Sequence, residues 1–410
     1  MKRNGTNLIK KWMAIAIGLF LASCIEPFEP EALEFTSALV IEATITDENN
    51  YQEILISRTF ELDTTGLYRE KGAKVSVTGS DGSIYDFNES GNGVYVSDVS
   101  FGAKRNVSYQ LNFTTADGNS YKSDKVTTPQ PTEIERLYAE RDFKDGDVNE
   151  GMFIYVDSYD PTGANQYYRY EYEETYKIIA PFWSPADAFV VQPFPDPVFE
   201  TRPRTREERI CYNTLVSKNV IQENTLNFSE NRISKFPVRF ISRNDYMLSH
   251  RYSILVKQYV QTSSAFSYYE KVRVLSESSS LFSQIQTGFL EGNIKSTMNS
   301  EEKVIGFFET SSVSEKRIYF NYEDYFAGER LPDFVVACEP LAIPVLEGIP
   351  IPSHSPLQDA IENGSFKFYN DNKGDNGDVN RGAPYLMVPT TCSDCTQLGS
   401  NIVPDFWEED

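Results

Sequence analysis

Histidine is almost absent from this chain of 410 residues, and so are the short motifs of common enzymes. The only histidines are His250 and His354. A structural zinc site takes four cysteine or histidine ligands, so the chain has little material for one. The sequence also lacks a His-Glu-x-x-His motif, a Gly-x-Ser-x-Gly elbow and a phosphate-binding loop. It therefore predicts a protein that is not an enzyme and that holds no metal and no cofactor.

Long hydrophobic runs are also missing. The apolar run near the amino terminus covers only residues 12–22, whereas a membrane-spanning helix needs about 20 apolar residues. Basic residues precede this run and Leu21-Ala22-Ser23-Cys24 closes it, which is typical of a secretory signal. The closing tetrapeptide resembles the bacterial lipobox, in which the cysteine is acylated. We predict a signal peptide at residues 1–23 and lipidation of Cys24. The alternative is an ordinary signal peptide with an incidental cysteine.

Positive charge is scarce, with 38 Lys and Arg against 60 Asp and Glu. Removing residues 1–23, which carry four basic and no acidic side chains, changes the net charge from −22 to −26. Such a charge repels nucleic acid and anionic lipid surfaces, so no nucleic-acid partner is expected. Residues 24–35 form an acidic tether that resembles the surface-export signal of Bacteroidota lipoproteins. We expect a lipid-anchored outer-membrane protein at the cell surface, with the periplasmic leaflet as the alternative.

Residues 36–128 show the period-two alternation of half-buried strands. Apolar side chains alternate over residues 39–45, 54–60 and 107–113, which places one face of each strand in a core. Asp-Gly and Asn-Gly pairs between these runs supply the positive φ of tight hairpins. The pattern predicts a mainly β protein whose amino-terminal domain is an immunoglobulin-like antiparallel sandwich.

A proline-containing linker at residues 129–135 leads to a second, sandwich-like β domain predicted at residues 136–337. Its later strands are predicted at residues 238–242, 252–260, 304–309 and 317–322. Apolar residues at helical spacing, from Phe266 to Ile285, predict an inserted helix near 264–286. Prolines beyond residue 338 predict a loop-rich segment over 338–410 that packs on the second domain.

Three stretches in a fixed order carry a resemblance to a known family. They are Leu39-Val40-Ile41-Glu42-Ala43 after Cys24, then Glu291-Gly292-Asn293-Ile294 with Val304-Ile305-Gly306-Phe307-Phe308, and last Cys392-Ser393-Asp394-Cys395 with Pro404-Asp405-Phe406-Trp407. Together they resemble the Bacteroidota lipoprotein family catalogued as domain of unknown function 4249, over nearly the whole mature chain. That family has no established activity and offers no functional residues. Its genes tend to lie beside those of TonB-dependent receptors, so the resemblance implies a surface lipoprotein that serves such a transporter.

The cysteines beyond Cys24 form an even set. An exported protein meets oxidising conditions, so these residues favour disulfides. Three pairings are possible, and we expect Cys338 to bond to one member of the Cys-x-x-Cys pair. A redox site is the alternative, although such a pair is expected at a helix start in a βαβ unit. The disulfide candidates are Cys211, Cys338, Cys392 and Cys395.

An aromatic, proline-rich stretch at residues 181–203 is the candidate contact surface. The prolines predict a stiff loop that stays outside the sheets, and long loops are often functional. Aromatic faces bind sugars and peptides, or the rings pack onto their own domain. The candidates for ligand or partner contact are Phe182, Trp183, Phe189, Phe194 and Phe199. The basic segment that follows, at residues 202–206, is predicted to be a solvated loop, with contact to an acidic partner or glycan as the alternative.

Residues 370–378 are rich in asparagine and aspartate. Lys373 stands where a calcium loop needs a ligand, and no glutamate closes the loop at the required distance. A polar turn is therefore predicted here, and no metal site.

Three functions from different classes remain open. The first is a non-catalytic binding accessory to a TonB-dependent outer-membrane transporter. The second is a structural or adhesive module of the cell envelope, which predicts no ligand cleft. The third is a hydrolase, which predicts convergent buried carboxylates with perturbed titration.

Overall fold

The computed structural model describes residues 38–59, 68–144, 146, 148–277, 290–348, 351, 353–373 and 382–409. Within them the protein is mainly β, with several sheets in a sandwich-like arrangement, and this confirms the predicted fold class. The signal, Cys24, the tether and part of the asparagine-rich turn lie outside the described residues, and the domain limits stay predictions. Among the described residues, no helix is long and apolar enough to cross a membrane.

The amino-terminal strands bury the apolar positions of the alternating runs. Leu39, Ile41 and Ile45 are at most 2% exposed, and Gly82 and Gly118 adopt positive φ at predicted turns. The inward faces therefore form one hydrophobic core. The strands are β1 (Leu39–Thr46), β2 (Glu53–Arg58), β3 (Tyr68–Arg69), β4 (Lys74–Gly79), β5 (Ile84–Gly91), β6 (Val94–Ser97), β7 (Ser108–Thr114), β8 (Ser120–Ser123) and β9 (Val126–Thr127).

A second group of strands begins after the proline-containing linker. These strands are β10 (Ile134–Lys144), β11 (Asn149–Tyr159), β12 (Tyr167–Ile179), β13 (Ala186–Gln192), β14 (Val198–Pro203), β15 (Ile210–Val216), β16 (Ile221–Asn224), β17 (Arg232–Ser242) and β18 (Arg251–Val260). The sheet β10-β11-β17 shares a second hydrophobic core with β12 and β18, in which Ile154, Tyr170 and Ile254 are buried.

One long strand joins the two groups. β19 (Ile294–Ser296) pairs with β8. β20 (Val304–Asn321) pairs parallel with β1 through residues 304–311 and antiparallel with β18 through residues 312–321. The prediction of two separate strands here is wrong, because the backbone stays paired with β1 and β18 through the polar residues between them, some of whose side chains are buried with hydrogen-bond partners. Ser311 Oγ donates to the Val260 carbonyl at 2.8 Å, so the strand continues through the polar stretch.

The motif stretches at residues 39–43 and 291–294 both contact residues 304–308 of β20. Asn293 Nδ2 donates to the Phe308 carbonyl, and Asn293 Oδ1 accepts from the Phe308 amide, both at 2.8 Å. A Cβ at Gly292 would lie 1.6 Å from the Gly306 carbonyl oxygen. Gly306 itself has a φ of +151°, and a Cβ there would lie 2.5 Å from the Ile41 carbonyl oxygen. Only glycine fits at both positions, and the two stretches close the sheet around β1.

Helix α1 (Ser263–Glu277) coincides with the first part of the predicted helix, and residues 278–289 lie outside the described residues. Its buried face carries Ala265 and Tyr268, which pack against Phe307 of β20. The helix therefore covers the sheet face on the side away from the amino-terminal core.

The carboxyl-terminal segment contains more regular structure than the predicted loops. Helix α2 (Tyr322–Phe326) precedes the segment. The segment's own elements are β21 (Leu341–Ala342), α3 (Pro356–Glu362), β22 (Phe366–Asp371), β23 (Tyr385–Pro389) and α4 (Thr390–Ser393). The strands form a small sheet with β23 in the centre. Disulfides join Cys211 to Cys395 and Cys338 to Cys392. They confirm the predicted disulfides, including one from Cys338 to the Cys-x-x-Cys pair. The Cys211–Cys395 disulfide ties the segment to β15, and the Cys338–Cys392 disulfide lies within the segment.

His250 precedes β18, and its ring lies edge-on to Tyr246 with 6.1 Å between the ring centroids. Burial, and then the positive charge of Lys177, lower the pKa of His250 to about 4. The ordinary value is about 6.5. The ring therefore stays neutral in the folded protein at a pH where the same histidine in the unfolded chain takes up a proton.

We expect mild acid to destabilise the protein through His250. The unfolded state binds the extra proton between pH ~6.5 and ~4, so this contribution to stability is present above that window and is lost as pH falls through it. The His250→Gln variant should escape the loss. Its free energy of unfolding relative to wild type should rise by at most about 3 kcal/mol between neutral pH and the bottom of the window. Urea unfolding across this range measures the difference, and a difference that does not change with pH would contradict it.

Candidate functional site

Three of the predicted contact residues pack onto their own chain. The Phe182 amide donates to the Cys392 carbonyl at 2.9 Å, and its ring lies edge-on to Tyr369. Trp183 packs partly buried beside the Cys211–Cys395 disulfide. Phe199 packs against the core of the carboxyl-terminal segment. These rings are therefore structural contacts within the chain.

The other two predicted contact residues, Phe189 and Phe194, are 39% and 37% exposed. The prediction of a loop that stays outside the sheets is wrong for this stretch, because β13 and β14 pair as an antiparallel hairpin. The prolines at positions 193, 195 and 197 fall between the two strands, where they remove no ladder hydrogen bond. The structure thus separates the five aromatic residues into three half-buried ones that pack onto the chain and two exposed ones on the hairpin.

The basic segment at residues 202–206 is only partly solvated. Arg204 is buried, with 2% of its side chain exposed, and pairs at 3.0 Å with both Asp187 and Glu208. It also donates to the backbone carbonyl of Ser393 at 2.9 Å. The prediction of a solvated loop is wrong for Arg204, because two carboxylates and the Ser393 carbonyl surround its guanidinium. Lys367 joins the same cluster, 3.6 Å from Glu208.

A cavity of about 720 Å³ lies between α1 and the face of strands β1, β2, β12, β18 and β20. Pockets that bind small molecules have volumes of about 300–1,000 Å³, so this cavity has the size of a ligand site. Three tyrosines line it, Tyr259 from β18 and Tyr268 and Tyr269 from α1. We call it the tyrosine cavity.

Arg169 of β12 forms the polar floor of the tyrosine cavity and is 6% exposed. Its guanidinium carbon lies 4.3 Å from the ring centroid of Tyr259 and 4.8 Å from that of Tyr269. Its Nη2 pairs with Glu309 Oε1 at 3.1 Å, and its Nη1 pairs with Glu171. The arginine is thus held between two aromatic faces and two carboxylates.

Hydrogen bonds fix the two carboxylates in turn. Glu309, with 3% of its side chain exposed, accepts from Thr44 Oγ1 at 3.1 Å and from Gln261 Nε2 at 3.2 Å. Glu171 accepts from the Tyr259 hydroxyl at 2.9 Å. Since each partner is held by others, the floor is arranged before any ligand arrives, and binding needs little reordering.

The surroundings of the cavity keep Arg169 charged and Tyr268 neutral at neutral pH. Burial lowers the pKa of Arg169, but Tyr269, Glu309 and Glu171 more than offset this and raise it. Burial, and then Glu42, raise the pKa of Tyr268 to about 12. The tyrosines therefore present neutral aromatic faces beside one guanidinium. Among the residues that the structure describes, no group of three or more His, Cys, Asp or Glu side chains is placed to hold a metal ion.

Sequence reasoning did not find this site. Its polar core comes from β1, β12, β18, α1 and β20, which are far apart in the chain. One local signal existed. Tyr168, Tyr170 and Tyr172 alternate with Arg169 and Glu171, which places the arginine and the glutamate on the same strand face.

The comparison with protein families agrees with the first two motif stretches, and the third, at residues 392–407, lies beyond the matched part. The family model described as a domain of unknown function (DUF4249) matches residues 25–317. The chain belongs to this family. A search of the curated proteins with this chain found no match.

The residues that line the tyrosine cavity fall between Val40 and Phe307, inside the part of the chain that matches the DUF4249 model. The sheet β21-β22-β23 and the residues from Cys338 onward follow the matched part. In this DUF4249 member, the described residues that line the cavity therefore lie within the matched part, and the disulfide-tied segment follows it.

Proposed function

We propose that the protein is a non-catalytic binding protein, anchored to the outer membrane through lipid on Cys24 and displayed at the cell surface. Its ligand binds in the tyrosine cavity, and it delivers or presents this ligand to a TonB-dependent transporter. The observation that carries the proposal is a cavity of about 720 Å³ whose floor is pre-arranged around Arg169. A purely structural module has no need of such a cavity.

The chemistry of the cavity favours binding over catalysis. Arg169 is sandwiched by two tyrosine rings and paired with two carboxylates, so its charge is neutralised by fixed partners. A group that activates a substrate instead needs access to the reacting atoms. The lipobox-like Leu21-Ala22-Ser23-Cys24 supports the anchor, since two acyl chains hold a protein stably at a membrane.

The partner is tested by isolating the protein from its native host. A tag at the carboxyl terminus, mild detergent and mass spectrometry identify what is bound to it. We expect a TonB-dependent barrel in about equal amount. A protein that elutes alone, or only with envelope scaffolds, would overturn the transporter role and favour a structural one.

The anchor is tested by the Cys24→Ala variant and by labelling with a fatty acid. Wild type should take up the label and sediment with the outer membrane, whereas the variant should remain unlabelled. Protease added to intact cells then distinguishes the two faces of the membrane. Digestion of the wild-type protein supports surface display, and full protection places it on the periplasmic leaflet.

A further inference from the structure

We propose that the tyrosine cavity takes a ligand in which a positively charged amine or guanidinium is joined to an apolar body that also carries a hydrogen-bond acceptor. This inference rests on the proposed binding function and adds the class of ligand. Four properties of the cavity lead to it: its charge, its aromatic wall, an unpaired donor and its apolar lining.

The charge of the lining is negative. Arg169 is the only basic residue among the described residues that line the cavity, whereas Glu42, Glu53 and Glu171 all line it. The charge of Arg169 is already balanced by Glu309 and Glu171. No ion pair joins Glu42 or Glu53 to a lysine or arginine in the part of the chain that the structure describes. A ligand cation would therefore meet uncompensated carboxylates, and an anion would be repelled.

The aromatic wall suits the same cation. Tyr268 lies close enough to Glu42 for that carboxylate to raise the pKa of its phenol, after the larger effect of burial. The neutral ring and the carboxylate both line the same cavity. An ammonium or guanidinium over the face of a tyrosine gains about 0.5–2 kcal/mol in general, and here it would also face a carboxylate.

Arg169 supplies the second, independent sign of a ligand. Its Nε–H is buried and has no hydrogen-bond partner among the described residues, although its two terminal nitrogens are paired. A buried donor left without an acceptor is unfavourable. Because this nitrogen has almost no exposed surface, a ligand carbonyl or hydroxyl oxygen would reach it only after a small shift of the two tyrosine rings that stack on the guanidinium. Such an oxygen would then satisfy the donor, which is why the ligand needs an acceptor as well as a cation.

The remaining lining is apolar, so it favours a ligand that also has an apolar body. Val40 and Leu55 line the cavity from the strands, Val272 from α1, and Phe307 from β20. Burying apolar surface against these side chains drives association. A small hydrophilic cation would leave this surface uncovered, so the cation must be attached to something larger.

Short blocked peptides with one variable residue test the inference. The probes are three tripeptides of leucine, a central residue and phenylalanine, with lysine, glutamine or glutamate in the centre. Calorimetry with the full-length chain in detergent measures their affinities. We expect the lysine peptide to bind at least about tenfold more tightly than the glutamine peptide, and the glutamate peptide to bind most weakly.

Variants then locate the binding. Glu42→Gln combined with Glu53→Gln should remove the advantage of the lysine peptide and leave the glutamine peptide unchanged. Both residues are exposed at the cavity, so the fold should tolerate the change. The matched control is Glu301→Gln combined with Glu339→Gln, which removes the same charge from exposed positions away from the cavity and should change nothing.

Each result decides something. Tightest binding of the glutamate peptide would overturn the cation while leaving a binding protein. A lysine peptide that binds equally well to the Glu42/Glu53 variant would overturn the placement in the cavity. If none of the peptides binds, the ligand class is wrong. The proposed function is then judged separately, by whether the transporter barrel purifies with the chain.

Discussion

Replacing both Cys211 and Cys395 by alanine is expected to lower the free energy of unfolding by about 5 kcal/mol. The disulfide spans 184 residues, and in the chain-entropy model a cross-link over so long a loop removes about this much from the unfolded state. Both sulfurs are fully buried, so the native structure holds them in place. Urea unfolding followed by circular dichroism measures the loss.

The second disulfide gives the matched control. Cys338 and Cys392 are separated by 54 residues, for which the same model gives about 4 kcal/mol. The Cys338/Cys392 double alanine variant should therefore lose less stability than the Cys211/Cys395 variant, by about 1 kcal/mol. The reverse order, or two variants as stable as wild type, would show that loop length does not set the contribution of these cross-links.

The Gly292→Ala variant is expected to lose more than about 3 kcal/mol, the upper range for overpacking a tightly packed site. The new Cβ would stand 1.6 Å from the Gly306 carbonyl oxygen, and a backbone atom cannot rotate away. The strand β20 would have to move, and the Asn293 hydrogen bonds to Phe308 would break with it. Urea unfolding measures the effect.

Glu291→Ala is the control for this variant. The residue precedes Gly292, is exposed, and should tolerate the same substitution with little change. Since the two variants differ by one position, a large loss in both would point to the segment as a whole. A Gly292→Ala protein as stable as wild type would mean that β20 and the 292 segment are not packed as described.

The strands of the amino-terminal half were predictable because buried and exposed residues alternate along each of them. Leu39 and Ile41 point inward and Glu42 outward, as period-two alternation requires. The cysteines were predictable as disulfides from their even number, and Cys338 was placed with the right pair. The strand pattern depends on neighbours in sequence, and the expectation of disulfides depends on the number of cysteines, so one sequence is enough to reveal both.

The length of β20 was not predictable, because polar residues interrupt its hydrophobic pattern. Ser311 and Ser314 are buried through hydrogen bonds to Val260 and Glu133, which lie elsewhere in the chain. Arg204 was misjudged for the same reason. Its acidic partner Asp187 and its contact Ser393 come from different segments, so its sequence neighbours suggested a solvated loop.

The tyrosine cavity was beyond sequence reasoning for a further reason. The hydrogen bond between Thr44 and Glu309 joins residues that are 265 positions apart, and Arg169 lies between them in sequence. Each of these residues has an ordinary local context, and only the pairing of β1, β12 and β20 brings them together. The family resemblance was found through three stretches, one of which contains Gly292 and Gly306, and these glycines are needed for packing and say nothing about the cavity.

Because β20 pairs with β1, the first strand of the sheet stays incomplete until late in the synthesis of the chain. A chain is made from its amino terminus, so β1 exists long before residues 304–311 that complete its parallel edge. During that interval the edge of β1 offers unpaired amides and carbonyls to other chains, which is a template for aggregation. Shielding by a chaperone is therefore most needed until residue 311 is available, and truncations before that point should be insoluble.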